Sequence, residues 1–163
     1  MSEQKIVAVS GAKKAGKTSL LEMLIPALAR RGVRAAVIKH SGHSFAPDRE
    51  GTDSFRMLAA GAVGTAVFDG EKIQLVRYAQ VTESDLFDCF PDADLILLEG
   101  FKDSSWPKIE ILRGEGAMPV SDPATWIALV TDTEYRQPGV PVFLPGDIEP
   151  LADFLTEFSR RRK

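Results

Sequence analysis

The chain has 163 residues, 44% of them hydrophobic and 26% charged, a balance that excludes a disordered or collagenous polymer and suits one ordinary core. With 20 Lys+Arg against 23 Asp+Glu the net charge is -3, so there is no broad positive field to grip a nucleic-acid backbone, and sequence-independent nucleic-acid binding is disfavoured. Cys89 is the one cysteine and cannot close an intramolecular disulfide, and Met1-Ser2-Glu3-Gln4-Lys5 lacks the basic-then-apolar pattern of an export signal; the expectation is a reducing, cytoplasmic setting.

In chain order, Ile6-Val7-Ala8-Val9, Ala36-Val37-Ile38, Leu95-Ile96-Leu97-Leu98 and Ile127-Ala128-Leu129-Val130 are apolar runs with no polar alternate. Such runs are strands covered on both faces, which predicts a mainly parallel sheet. Between the first two, Leu20, Leu21, Leu24, Ile25 and Leu28 form one stripe at helical spacing over Thr18 to Arg31, with Gly32 just past the end; this is a βαβ unit. Pro26 removes one hydrogen bond inside that helix and predicts a kink near Glu22. Met57 to Phe68 is uncharged but is broken by Gly61, Gly64 and Thr65 and is too short to cross a bilayer.

Val63 to Asp69 and Lys72 to Tyr78 flank Asp69-Gly70-Glu71, predicting a β-hairpin that interrupts the parallel pattern. Lys108-Ile109-Glu110-Ile111-Leu112 alternates polar with apolar, so one face is expected to meet water, a partner subunit or a ligand, as in an edge or interface strand. Val142-Phe143-Leu144 and a helix over about Ile148 to Ser159 follow, with Leu151, Leu155 and Phe158 inward, Asp147 as N-cap and Pro150 in the first turn. Arg160-Arg161-Arg162-Lys163 reads as a solvated helix end. No repeat or linker divides the chain, so the expectation is one domain over residues 1–163: an α/β, P-loop NTPase-like fold, its sheet flanked by helices, with an added hairpin.

Gly11-Ala12-Lys13-Lys14-Ala15-Gly16-Lys17-Thr18 matches G-x-x-x-x-G-K-[ST] between the strand Ile6–Ser10 and a helix, the context that motif requires. Gly11 and Gly16 let backbone amides curl round a phosphate, and the helix that follows with Ser19 supplies unpaired N–H groups and a positive dipole end. Lys17 would reach the β- and γ-phosphates, and the Thr18 hydroxyl would take one place in a Mg²⁺ shell shared with phosphate oxygens. Lys13 and Lys14 add charge or are exposed loop lysines. Ala12 stands where one dimeric ATPase class carries a trans-acting lysine, so that mechanism is not supported.

Such a loop needs a carboxylate at the end of a neighbouring buried strand, and Glu99, followed by Gly100, supplies it; Asp94, at the far end of that strand, reads as a structural cap. Lys39-His40-Ser41-Gly42-His43-Ser44 leaves the second strand at its carboxyl end, where open α/β sheets collect ligands. His40 and His43 have spacing compatible with metal ligation, below contact with phosphate or substrate. Asp53 would approach Mg²⁺ or a water near the γ-phosphate, with helix capping as the competing reading; Asp53 and Glu99 are the two candidates for chemistry. Asp132 follows Ile127–Val130, where a carboxylate accepts from N1–H and the 2-amino group of guanine, or simply serves a turn.

The assembled pieces resemble the molybdopterin-guanine dinucleotide biosynthesis protein B family, GTP-binding adaptors of molybdenum-cofactor assembly. The likeness is carried by Gly11–Leu21 with Ile25-Pro26-Ala27-Leu28, Ile38-Lys39-His40-Ser41-Gly42-His43, Gly51-Thr52-Asp53-Ser54-Phe55-Arg56, Ala59-Ala60-Gly61-Ala62 and Asp94-Leu95-Ile96-Leu97-Leu98-Glu99-Gly100-Phe101-Lys102. It spans most of the first two thirds of the chain; the remainder is similar mainly in pattern. The resemblance implies a homodimer that binds GTP with Mg²⁺, hydrolyses it weakly at most, and assists the guanylyltransferase that attaches GMP to molybdopterin. It would place Lys17 and Thr18 on phosphate and Mg²⁺, Glu99 in the metal site, and His40, His43 and Asp53 toward a partner or pterin phosphate. Two other functions use the same cradle. A small-molecule kinase would need converging positive groups, whereas Arg49, Arg56 and Arg113 are scattered and read as surface residues; a metal-delivering GTPase would rest on His40 and His43 without thiolates.

Overall fold

The computed structural model describes residues 4–42 and 44–161. Its contacts fall into two compact units, Met1–His40 with Phe87–Lys163, and Ser41–Leu86. No helix among the described residues is long and apolar enough to cross a membrane.

The larger unit is built on six parallel strands: β1 (Lys5–Gly11), β2 (Ala35–Lys39), β5 (Leu95–Glu99), β6 (Lys108–Leu112), β7 (Trp126–Thr131) and β8 (Val142–Phe143), in the order β2-β5-β1-β6-β7-β8. The four apolar runs read from the sequence are β1, β2, β5 and β7, and the α/β, mainly parallel architecture is the one they predict. Helix α1 (Lys17–Arg30) and helix α4 (Ile148–Arg160) complete the main core. Val7, Val9, Leu95, Leu97, Ile109, Ile111, Ala128 and Val130 cluster with Leu20, Leu24 and Leu28 of α1 and with Leu151 and Leu155 of α4. Leu24 is fully buried there, and truncating it to alanine would cost about 2–5 kcal/mol.

Helix α1 ends as its sequence requires. Gly32 turns left-handed at φ 74°, and the N–H groups of Gly32 and Val33 close on the carbonyls of Ala29 (3.0 Å) and Leu28 (3.1 Å), a Schellman arrangement. Pro26 lies inside the helix on its exposed side, where water can take the Glu22 carbonyl that proline leaves without a donor. Arg31 ties α1 to α4, donating to Asp153 (2.7 Å) and Glu149 (2.7 Å). Asp94 is the structural anchor expected of it: it accepts from the Arg34 amide at 2.9 Å and from the Arg34 guanidinium.

One expectation is overturned. Strand β6 is not an edge; it lies between β1 and β7 with all five residues buried. Its polar positions are satisfied inside the protein. Lys108 Nζ donates to the carbonyls of Ser104 and Trp106, and Glu110 accepts from Ser10 Oγ, from Ser121 Oγ at 2.7 Å and from the Val120 amide at 2.8 Å. Trp126 Nε1 extends the network by donating to Ser121 Oγ at 2.9 Å. Asp147 is the N-cap residue of α4, as expected, its carbonyl accepting from the Leu151 amide at 3.1 Å; its side chain makes no capping bond and turns back to accept from the Leu144 amide at 2.8 Å.

In the smaller unit, helix α2 (Asp53–Ala59) precedes the antiparallel pair β3 (Gly64–Phe68) and β4 (Ile73–Arg77). The hairpin is where the sequence placed it: Asp69 Oδ1 accepts from the amides of Glu71 (2.9 Å) and Lys72 (3.0 Å). A short helix α3 (Glu83–Phe87) follows, started by Thr82 and Asp85, each accepting the other's amide at 3.3 and 2.8 Å.

Candidate functional site

Strand β1 runs out at Gly11, and the chain must turn at once to enter α1. A Cβ on Gly11, at φ +153°, would stand 2.8 Å from the Ile111 carbonyl oxygen and 3.1 Å from its Cβ, so the loop can pass β6 only without a side chain there. Lys14 is left-handed at φ 66°, and Ala15 tucks inward, its amide on the Ala12 carbonyl at 3.1 Å. Gly16 occupies the N-cap at φ 94°, ψ 22°; no side chain caps the helix and no acidic residue stands in its first turn. The positive end of α1, at Lys17, Thr18 and Ser19, is thus not offset by a carboxylate of its own helix. Lys17 folds back across the loop, its ammonium donating to the carbonyls of Gly11 and Ala12 at 2.9 Å each.

Thr18 and Glu99, 81 positions apart in the chain, meet. Strand β5 pairs with β1 at Glu99 opposite Val9, which brings the carboxylate level with the loop. Thr18 Oγ1 donates to Glu99 Oε1 at 2.9 Å, and Lys39 Nζ lies 3.2 Å from the same oxygen. A hydroxyl that gives its proton to a carboxylate keeps its lone pairs for a hard cation. One hydroxyl and one carboxylate, both oxygen donors, suit Mg²⁺, which takes few protein ligands and fills its shell with phosphate oxygens and water. His40 comes to the Glu99 side: its amide donates to the Glu99 carbonyl at 3.4 Å and its ring lies 5.7 Å from that of Phe101.

On the other side of β1 the chain leaves β6 as Arg113-Gly114 and β7 as Asp132-Thr133. Asp132 Oδ1 accepts from the Gly114 amide at 2.9 Å, and Oδ2 faces Arg113 Nε at 3.6 Å. The Gly114 amide above all, with Asp132's own amide and then Arg113 adding to it, holds this carboxyl below its ordinary range. Asp132 thereby serves the loop turn, and it also lines two open cavities. One, of about 430 Å³, runs along Ala12–Ala15, Arg113 and Met118; the other, of about 700 Å³, is lined by Gly114–Ala117 and Thr133–Tyr135. Lys13 and Lys14 line the first cavity from the loop side.

Asp53 belongs to the smaller unit, where it is the first residue of α2, 87% exposed and 3.7 Å from Arg56 Nη1. It is not the cap; Thr52 Oγ1 accepts the Phe55 amide at 3.3 Å in that role. His43 lies outside the described residues. Among the described residues no three of His, Cys, Asp and Glu gather as a metal cluster. Arg113, which the sequence alone reads as a scattered surface residue, comes to the loop: its Nη1 stands 3.3 Å from where a Cβ on Gly16 would be. The available signal was its position just past a buried strand, as with Glu99 and Asp132.

Residues 6–132 match the family model described as "Molybdopterin guanine dinucleotide synthesis protein B". The chain is 37% identical over 159 residues to the Haemophilus influenzae "Molybdopterin-guanine dinucleotide biosynthesis adapter protein", covering 92% of this chain and 86% of that one. The Escherichia coli protein of the same description is 35% identical, over 90% of this chain and 89% of its own. In three dimensions the chain is similar to the crystal structure of Bacillus subtilis MobB, with a TM-score of 0.75 at 29% identity over 98% of this chain and 99% of that one. The MobB homologue from Bacillus stearothermophilus gives 0.70 at 25% identity over 96% and 99%.

Proposed function

Because the chain belongs to the molybdopterin guanine dinucleotide synthesis protein B family, we propose that it is a GTP-binding adapter of molybdopterin-guanine dinucleotide biosynthesis. It acts as one nucleotide-binding domain over residues 1–163. The observation that carries the nucleotide part is the Thr18–Glu99 pair at 2.9 Å beside an uncapped helix start. In this reading the amides from Gly11 to Ser19 cradle the phosphates, with Lys13, Lys14 and Ala15 forming the loop wall. Lys17 releases the Gly11 and Ala12 carbonyls to take the β- and γ-phosphates, and Thr18 and Glu99 hold Mg²⁺, which would neutralise phosphate charge. Lys39 keeps Glu99 oriented.

Asp132 faces the guanine, and His40 and His43 face the guanylyltransferase partner or its pterin substrate. GTP hydrolysis is weak at most, with Asp53 and Glu99 as the candidates for it. The relatives' description as adapters favours this over a small-molecule kinase or a metal-delivering GTPase. The protein works in the cytoplasm as a homodimer. Support for the second copy comes from the hairpin, where Phe68, Ile73 and Leu75 share one face and are all more than half exposed; a two-stranded hairpin is marginal alone and gains most by burying such a face.

The test is isothermal titration of GTP and ATP with Mg²⁺, followed by mass measurement of the complex in solution. GTP binding, lost in Lys17→Ala while the thermal melt stays within about 4 °C, is the expected result. ATP bound and GTP ignored would reject the adapter reading.

A further inference from the structure

We propose that Arg113 is a nucleotide-binding residue whose guanidinium grips the α-phosphate of the purine nucleotide seated in the loop; this rests on the nucleotide-binding reading above. Strand β6 pairs with β1 so that Ile111 lies opposite Gly11, and the chain two residues on therefore reaches past the loop. The terminal nitrogen Nη1 comes to 3.3 Å from the Cβ position of Gly16. The missing side chain at Gly16 leaves the guanidinium space beside the first amides of α1, where a phosphate sits.

The ion pair with Asp132 does not account for this placement. It runs through Nε at 3.6 Å, beyond a good hydrogen bond, and both side chains are more than 40% exposed, a setting in which such pairs contribute little. Sheet order fixes which phosphate is meant. Thr18 and Glu99 mark the cation end on the β5 side of β1, where the β- and γ-phosphates share the metal. Arg113 stands on the β6 side, and the cavity it lines leads on past Asp132. The phosphate nearest the nucleoside belongs at that end. A planar fork of N–H donors matches two phosphate oxygens at once, which an ammonium does not.

Isothermal titration with Mg²⁺ should compare GTP, GDP and inosine triphosphate on the wild-type chain, Arg113→Ala, Arg113→Lys and Lys17→Ala. Arg113→Ala is expected to weaken all three ligands alike, by about 10- to 100-fold for a lost charge-assisted bond, and Arg113→Lys to recover part of the loss. Affinity in Arg113→Ala within about twofold of wild type overturns the proposal. So does a loss that spares GDP, which puts the guanidinium at the γ-phosphate. A loss that spares inosine triphosphate also overturns it, since Arg113 would then act only by steadying Asp132 against the guanine 2-amino group. A wild-type chain that binds none of the three rejects the nucleotide-binding reading and this assignment together. Binding lost in Lys17→Ala but kept in Arg113→Ala rejects the assignment alone.

Discussion

Replacing Glu110 by leucine tests whether the polar face of β6 is held by its internal network. Three donors converge on this carboxyl group: Ser10 Oγ and Ser121 Oγ on one oxygen and the Val120 amide on the other. Glu110 is fully buried and Ser10 nearly so, so no water replaces a lost acceptor without rearrangement. The two hydroxyls lie 3.1 Å apart and can satisfy one another in part, leaving the Val120 amide and one hydroxyl proton without an acceptor. At about 1–3 kcal/mol for each orphaned donor, Glu110→Leu should lose roughly 2–5 kcal/mol after the gain from an apolar side chain is allowed for. Glu110→Gln keeps a carbonyl for Val120 and offers an amide that both hydroxyls can accept from, so its loss should stay near 1 kcal/mol. Urea unfolding reads this as a shift in midpoint at constant slope. A leucine variant within about 0.5 kcal/mol of wild type would refute the reasoning.

Gly11→Ala should lose about 2–4 kcal/mol through the 2.8 Å clash with the Ile111 carbonyl and its strained φ; a melt unchanged within about 2 °C would reject the close approach. Hydrogen bonds from Arg34 to Asp94 and from Arg31 to Glu149 and Asp153 lower those carboxyls, so the unfolded chain binds their protons first. Their stabilisation is complete above the ordinary carboxylate pKa of about 4 and is lost as pH falls through the lowered folded values; urea midpoints from pH 6 to pH 2 should fall, and fall less steeply in Arg31→Met. Leu75→Glu on the hairpin should shift the solution mass from dimer to monomer, and a mass that stays dimeric would place the interface elsewhere.

What the sequence disclosed follows from how local each signal is. The strand, phosphate loop and α1 lie within one stretch of chain, and the Schellman end at Gly32 needs only its own neighbours. The alternation of β6 misled because a polar residue in a strand usually faces solvent, whereas the partners of Lys108 and Glu110 come from loops that pattern alone cannot bring together. Helix α3 was missed because five residues are too few for periodicity, although Thr82-x-x-Asp85 is a starting signal. Glu99 was legible because the motif demands a carboxylate at a strand end. Arg113 was not, since its nearness to Gly16 depends on β6 lying next to β1, an order fixed by packing.

That order also shapes how the chain comes off the ribosome. Strand β1 is made first yet sits in the middle of its sheet, and the residues it pairs with, Leu95 for Lys5 and Lys108 for Ala8, are made far later. Until they emerge, the nascent phosphate loop has no walls and Leu24 and Leu28 have no α4 to cover them. Assembly is therefore expected to be slow and largely post-translational, with the early βαβ segment the part most in need of a chaperone.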